Sequence, residues 1–294
     1  MCCLLATNNE GKAAVNNPSS VAPSLILAID FGTQSCRALA YTAQGECVAK
    51  CQLLVTEYQH PEPEWTEHDV EGFWTLLTDS CRGLWSRGIA PQDIAAVVVT
   101  TQRASVINLD ENGRPLRPAI IWTDQRRAPL RQRLPWYWRA LFGLLRIRPI
   151  VDNLEAETEA NWLERYEPEL WARTAHYLLL SGYLNYRFTG AFKDSVGSQV
   201  GYLPFDFKKQ SWCAASDWKW HSMAIKRYML PELSDVGEVL GYVAADAAEA
   251  TGVPVGVPVI AGAADKACEV LGVGALEAGV ASISCGTTAT INTT

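Results

Sequence analysis

The stretch from Leu25 to Tyr41, LILAIDFGTQSCRALAY, constrains this chain more than any other. Two short apolar runs, residues 25–29 and 37–41, flank a tight polar turn, the pattern of two adjacent strands. Asp30 ends the first run. Gly32 supplies the backbone freedom that a turn needs, and Thr33, Gln34 and Ser35 place small polar groups at its tip. Consecutive N–H groups and hydroxyls in such a turn form a concavity suited to phosphate. A carboxylate beside it suits Mg²⁺, which takes one or two carboxylates together with phosphate oxygens. The same spacing also suits an ordinary hairpin closed by a glycine turn.

Composition narrows the class. Apolar residues make up 48% of the 294 and charged residues 19%, which indicates a globular protein with a sizeable core. A formal net charge of −7 argues against a nucleic-acid partner. No stretch approaches 18 uncharged apolar residues, so no membrane span is expected. The opening MCCLLAT lacks a basic segment before its short apolar run, unlike a secretory signal. Nine cysteines, an odd number, form no C-x-x-C pair and no Cys/His cluster at zinc spacing. Free thiols in a reducing compartment follow, and with them a cytoplasmic location. Residues 1–24 are small and polar and are expected to form a disordered leader. The eleven tryptophans suit the walls of a sugar site and suit core filling equally well.

Along the chain, residues 47–56 predict a third strand, and Asp69 caps a helix over 70–87. In that helix Phe73, Trp74, Leu77, Cys81, Leu84 and Trp85 recur at helical spacing. The β-branched run 94–100 predicts a strand buried on both faces. Shorter strands follow at 105–109 and 118–122, with a turn at Asn112–Gly113 between them. Residues 126–148 interleave seven arginines with aromatics, but the acidic whole and Pro129, Pro135 and Pro149 favour a helical cap over a cleft or a subunit contact. A homodimer is therefore open. Helices are expected over 154–166 and 177–188, the second stopping at Gly190. A short strand at 240–243, a helix at 246–251 stopping at Gly252, and a strand at 257–261 complete the pattern. That last strand leads into Gly262–Ala263–Ala264–Asp265–Lys266, where a helix opens. The dipole there favours an ionised Asp265, a sound position for a general base. Aspartate is also a common capping residue at such a place.

The order of three segments carries a resemblance. They are the hairpin from Asp30 to Arg37, the stretch TTQRASVINLDENGRPLRPAIIWTDQR, and IAGAADKACEVLGVGALEAGVASISCGTTATI. Together they resemble the FGGY family of ATP-dependent carbohydrate kinases, which includes glycerol, xylulose, ribulose and gluconate kinases. The first segment alone is similar to the phosphate loop of other actin-like ATPases. The resemblance implies an α/β fold: an actin-like ATPase (ribonuclease H-like) domain, with a mixed sheet and flanking helices. It implies that residues 25–272 form the N-terminal sugar-binding and catalytic domain, and that residues 273–294 are the opening strands of a truncated nucleotide domain.

It also assigns roles. Asp265 matches the base that takes the proton from the sugar hydroxyl. Asp30 and Asp265 match the carboxylates that organise Mg²⁺. Gly32, Thr33, Gln34, Ser35 and Arg37 match the first ATP-phosphate loop, and Gly286, Thr287 and Thr288 the second. Gln102, Arg103, Trp122 and Asp124, together with Asp265, match the lining of the sugar pocket, and Glu155 is a further candidate. Two positions depart from the pattern: Ala104 stands where glycerol kinases carry Glu, and Gln102–Arg103 where xylulose kinases carry Met-His.

The implied activity is ATP- and Mg²⁺-dependent phosphorylation of a sugar or polyol hydroxyl, weak or absent in this chain alone. The alternatives are a non-catalytic sugar-binding module and another kind of actin-like ATPase. The Trp122–Asp124–Arg126 loop and the setting of Asp265 speak against the second alternative. No strand is followed by G-x-G-x-x-G opening a helix, which sets aside a dinucleotide oxidoreductase.

Overall fold

Strand Ile94–Thr101 sits inside a six-stranded mixed sheet because both of its edges are paired. Leu25–Phe31 runs parallel to it on one side and Pro258–Ile260 on the other. From Leu25–Phe31 the sheet continues through antiparallel Ser35–Tyr41 to Cys47–Leu54, and Val239–Tyr242 closes the opposite edge. The computed structural model describes residues 24–56, 58–130, 134–285 and 289–293. The leader expected before residue 24 and the loop Gly286–Thr288 lie outside the described residues.

Alternation at period two decides which face of the sheet is covered. Leu27, Ile29 and Phe31 point the same way as Cys36, Ala38, Ala40, Val97 and Val99, and all are buried in one core. Helix Val70–Trp85 lays Phe73, Leu77, Cys81 and Leu84 against that core. It starts where predicted: Asp69 is the cap, its Oδ2 accepting from Gly72 N at 2.9 Å. Helices Leu180–Thr189 and Ala245–Thr251 share the core and stop at Gly190 and Gly252, both left-handed, as expected of helix-ending glycines.

A second, four-stranded antiparallel sheet runs in the order Glu67–His68, Ala119–Ile120, Val106–Leu109 and His176–Leu179. It carries a second core containing Trp162, Trp171, Tyr177 and Phe205. Most tryptophan side chains are spent here and in a small cluster around Phe142, where Trp138 and Trp218 pack.

Two helix expectations need correction. The segment 154–166 is two helices, Arg148–Glu157 and Glu159–Tyr166. Thr158 between them leaves helical geometry at ψ 114, while its hydroxyl donates to Leu154 O at 2.7 Å. Pro149, expected to break structure, instead lies in the first turn of the earlier helix, where its missing N–H costs nothing. Residues Tyr177–Leu179 are strand, because pairing with Val106–Asn108 claims their backbone, and the helix starts only at Leu180. Residues Ala281–Cys285 and Ala289–Thr293 pair as an antiparallel hairpin with Ile283 and Ile291 exposed. Among the described residues no helix is long and apolar enough to cross a membrane.

Candidate active site

The parallel strands Leu25–Phe31, Ile94–Thr101 and Pro258–Ile260 deliver their following residues to the same end of the sheet. Open α/β sheets build sites at that end. A cavity of about 470 Å³ opens there, within the range of small-molecule sites. Thr33, Gln102, Arg103, Ala104 and Trp122 form one side; Gln199, Val200, Gly201, Tyr202 and Phe207 form another; Asp265, Lys266 and Thr290 complete it.

Donor and acceptor roles around Thr33 follow from elementary chemistry. The Trp122 indole Nε1, which can only donate, reaches Thr33 Oγ1 at 2.8 Å. The hydroxyl therefore accepts there and donates onward to Gln102 Oε1 at 2.9 Å. Thr33, Gln102 and Trp122, predicted for two different subsites, are thus one hydrogen-bonded unit. The Tyr58 hydroxyl adds a bond to Thr33 O at 2.7 Å. Next to this unit, Ala104 holds a left-handed backbone at φ 61, which a residue with a Cβ rarely adopts and which clusters at functional sites.

Asp265 is the first residue of helix Asp265–Gly272, and Ala264, not Asp265, is the cap. Its Oδ1 accepts from Lys266 N at 2.7 Å and lies 3.9 Å from Arg103 Nε. Burial pushes the carboxyl above the usual range, opposed by the Lys266 amide and by the charges of Lys266 and Arg103. Its side chain keeps 29% of its surface exposed, so it is reachable from the cavity. Lys266 Nζ, although it lines the cavity, is held by Glu269 at 3.0 Å and by Ser284 Oγ at 2.9 Å. Two glycines let this corner close. A Cβ on Gly262 would come within 2.8 Å of Val99 O, and one on Gly197 within 2.9 Å of the Ala263 Cβ.

The first loop is a closed turn, with Gly32 N donating to Ser35 O at 3.0 Å. The buried Ser35 Oγ accepts from Gln52 at 3.1 Å. The N–H groups of Thr33 and Gln34 carry no backbone bond among the described residues and suit an anion. Asp30 and Arg37, opposite each other across the hairpin, form an ion pair at 2.5 Å. Among the described residues no cluster of three or more His, Cys, Asp or Glu could hold a metal by protein ligands alone. Two part-exposed carboxylates, Asp30 and Asp265, nevertheless fit the donor set of a Mg²⁺ that takes its remaining oxygens from phosphate and water.

Asp124 is placed differently from expectation. It does not line the cavity: its carboxylate, 2% exposed, is fully used. Arg126 Nε donates to Oδ1 and Arg126 Nη2 to Oδ2, both at 2.8 Å, and Thr66 N donates to Oδ2 at 2.6 Å. The Arg126 guanidinium also reaches Glu67 at 2.8 Å and lies between the Trp65 and Trp162 rings, 4.2 and 4.6 Å from their centres. Burial alone would lower its pKa, but Asp124 and Glu67 outweigh that and raise it. This arginine, grouped by sequence with a surface cap, is a core residue. Glu155 is likewise buried and does not line the cavity.

The stretch 194–202 was missed. Gln199, 6% exposed, lines the cavity and is held by Asp194. The only available signal was its small polar run, SVGSQ, which reads equally as an irregular loop.

Residues 25–272 match the FGGY family of carbohydrate kinases, N-terminal domain. The xylulose kinase of Escherichia coli K12 is 31% identical over 271 residues, covering 90% of this chain and 53% of that protein. The glycerol kinase of Natranaerobius thermophilus is 27% identical, covering 89% of this chain and 53% of that one. The crystal structure of xylulose kinase from Rhodospirillum rubrum superposes with a TM-score of 0.75 at 24% identity, covering 91% of this chain and 55% of that one. At that identity it shows the shared fold. The chain spans about half the length of the curated relatives it matches.

Proposed function

The chain belongs to the FGGY family of carbohydrate kinases, and from that premise we propose that its cavity binds a sugar or polyol whose hydroxyl receives the terminal phosphoryl group of ATP. The observation that carries this reading is a half-buried carboxylate with raised proton affinity, Asp265, facing a cavity with a hydrogen-bonded Thr33–Gln102–Trp122 wall. In the step proposed, the hydroxyl oxygen attacks the γ-phosphorus and the bond to the β,γ-bridging oxygen breaks. ADP leaves with that electron pair, and the hydroxyl proton passes to Asp265. A base near the operating pH contributes about 10²–10⁴ in rate, and burial moves Asp265 in that direction. Arg103, 3.9 Å away, steadies the carboxylate in its ionised form.

Asp30 and Asp265 are the residues that would hold Mg²⁺, which when bound neutralises phosphate charge. The Gly32–Ser35 turn, and by family resemblance Gly286, Thr287 and Thr288, would receive phosphate oxygens. Arg37 would keep Asp30 oriented. For Asp124 we infer a supporting role, holding Arg126 and the loop that carries Trp122. The domain reading, a catalytic unit over 25–272 followed by strands of a nucleotide domain, belongs to this proposal, as does a cytoplasmic location.

Release of ADP from Mg·ATP, measured with D-xylulose, glycerol and D-gluconate as acceptors, tests it. Acceptor-dependent release that falls at least a hundredfold in Asp265→Asn is the expected result. Sugar binding with no turnover, unchanged by that substitution, would transfer the assignment to a binding module.

A further inference from the structure

The loop after strand Lys193–Ser195 supplies a cavity wall, through Gln199, Val200, Gly201 and Tyr202, to which no role has been assigned. Asp194 lies at its base, 1% exposed, and among the described residues it forms no ion pair. Its charge is met by four neutral donors. Ser181 Oγ and Gln199 Nε2 donate to Oδ2 at 2.8 and 3.0 Å; Asn185 Nδ2 and Ser195 N donate to Oδ1 at 3.2 and 2.8 Å. Burial lifts the carboxyl to about 6, and the four donors oppose that rise, so it is ionised at neutral pH. An ionised carboxylate can only accept.

That fact propagates to Gln199. Its Nε2 donates to Asp194 Oδ2 and also to Ser195 O at 2.9 Å, which uses both amide hydrogens. The amide therefore cannot flip without setting its oxygen against two acceptors. Oε1 accepts no hydrogen bond among the described residues, and the side chain borders the cavity. The wall is tied to the catalytic corner: Ser195 Oγ donates to Gly262 O at 2.5 Å and Ala264 N donates to Gly197 O at 3.0 Å, immediately before Asp265.

We propose that Asp194, acting through Gln199, fixes this wall of the cavity as a hydrogen-bond acceptor for a hydroxyl of a neutral polyhydroxylated substrate. Gln199 is then a specificity-determining contact and Asp194 its positioning residue. The proposal rests on reading the cavity as the sugar pocket. Its chemistry is distinct from that of the opposite wall, where Gln102, Thr33 and Trp122 have their own network. Asp194→Asn has a specific consequence. Ser195 N is a fixed backbone donor, so the new amide must keep its oxygen there and turn its NH₂ toward Gln199. Gln199 must then reverse, presenting a donor where the pocket had an acceptor.

Calorimetric titration of the full 294-residue chain with D-xylulose and with glycerol at pH 7.5 tests this. Gln199→Met, which keeps the length and removes the acceptor, weakens binding about tenfold, the upper range for one uncharged hydrogen bond. Asp194→Asn weakens it to a similar degree, and the double variant binds no worse than Gln199→Met alone, because one residue acts through the other. In NMR the Gln199 side-chain amide protons are protected from exchange in the unaltered chain and lose protection in Asp194→Asn. Three results each overturn the proposal alone: Gln199→Met binding like the unaltered chain, additive losses in the double variant, or unprotected amide protons in the unaltered chain. Failure of the unaltered chain to bind either probe overturns the sugar-pocket reading and this proposal with it.

Discussion

Asp124 and Asp194 are carboxylates of nearly equal burial that meet their charge in opposite ways. Asp124 is paired with a guanidinium, which Glu67 shares and two indole rings enclose. Asp194 has only uncharged donors, two of them side-chain amides. The first arrangement is closed, since both Asp124 oxygens are taken by Arg126 and by Thr66 N. The second is open at one end, because orienting Gln199 leaves an oxygen toward the cavity. A buried ion pair holds a loop in place; a buried carboxylate ringed by amides can impose a polarity on a wall beyond it. Asp124, which the resemblance implies for the sugar pocket, does not line the cavity, whereas Gln199, held by Asp194, does.

The contrast can be broken most forcefully at Arg126. Arg126→Met leaves Asp124 buried without a cation, while Glu67 keeps Arg117, and is expected to destabilise by about 3–5 kcal/mol. Urea unfolding at pH 7 measures it, and a loss below about 1 kcal/mol would mean that solvent reaches the network.

Asp194 is expected to show the opposite electrostatics. Its folded pKa, about 6, lies above the unfolded value, so the native state binds the proton more tightly. The stability tied to that proton is fully present below about pH 4 and lost as the pH rises through about 6, roughly 3 kcal/mol in total. Unfolding at intervals from pH 4 to 7.5 should show this slope, and Asp194→Asn should remove it. An unchanged slope in the variant would assign the effect elsewhere, with Glu159, which burial lifts to about 7, the first alternative.

An exposed carboxylate sets the scale for both. Asp69→Ala removes the cap of helix Val70–Trp85 and should cost about 1 kcal/mol. A larger loss would mean that the helix start is held by more than its cap.

Asp265, with intermediate burial, gives the smallest expected effect. With Asp265 as the proposed base, turnover should fall as the pH drops through a limb that burial raises, since the carboxylate must be ionised. Arg103→Met removes a favourable charge and should move that limb upward, the exposed position of Arg103 keeping the shift small. A downward shift would exclude Asp265 as the titrating group.

Local patterns were legible without coordinates wherever the cause is local. Alternation named the three opening strands, Asp69 the helix start, and Gly190 and Gly252 the helix ends, because each depends on neighbours within a few residues. Helix 70–87 ends two residues earlier than expected, with Ser86 as its cap, because Arg87 is a good helix former and nothing local marks the stop. Residues 177–179 were misread because a paired strand and an amphipathic helix start alike in a short apolar run.

The sequence by itself therefore determined the family, most of the elements and the acid at the head of the last helix, since strand Pro258–Ile260, Gly262 and the helix start at Asp265 are contiguous in the chain. Only the tertiary structure decided what the buried polar side chains do. Arg126, held by Asp124, meets Glu67 across 59 positions, and Thr33 joins Gln102 and Trp122 across 69 and 89. Whether a carboxylate is neutralised by a cation or ringed by amides depends on which distant segments the two sheets bring beside it. No local pattern records that choice, because the energy that makes it is the cost of leaving a buried charge without partners.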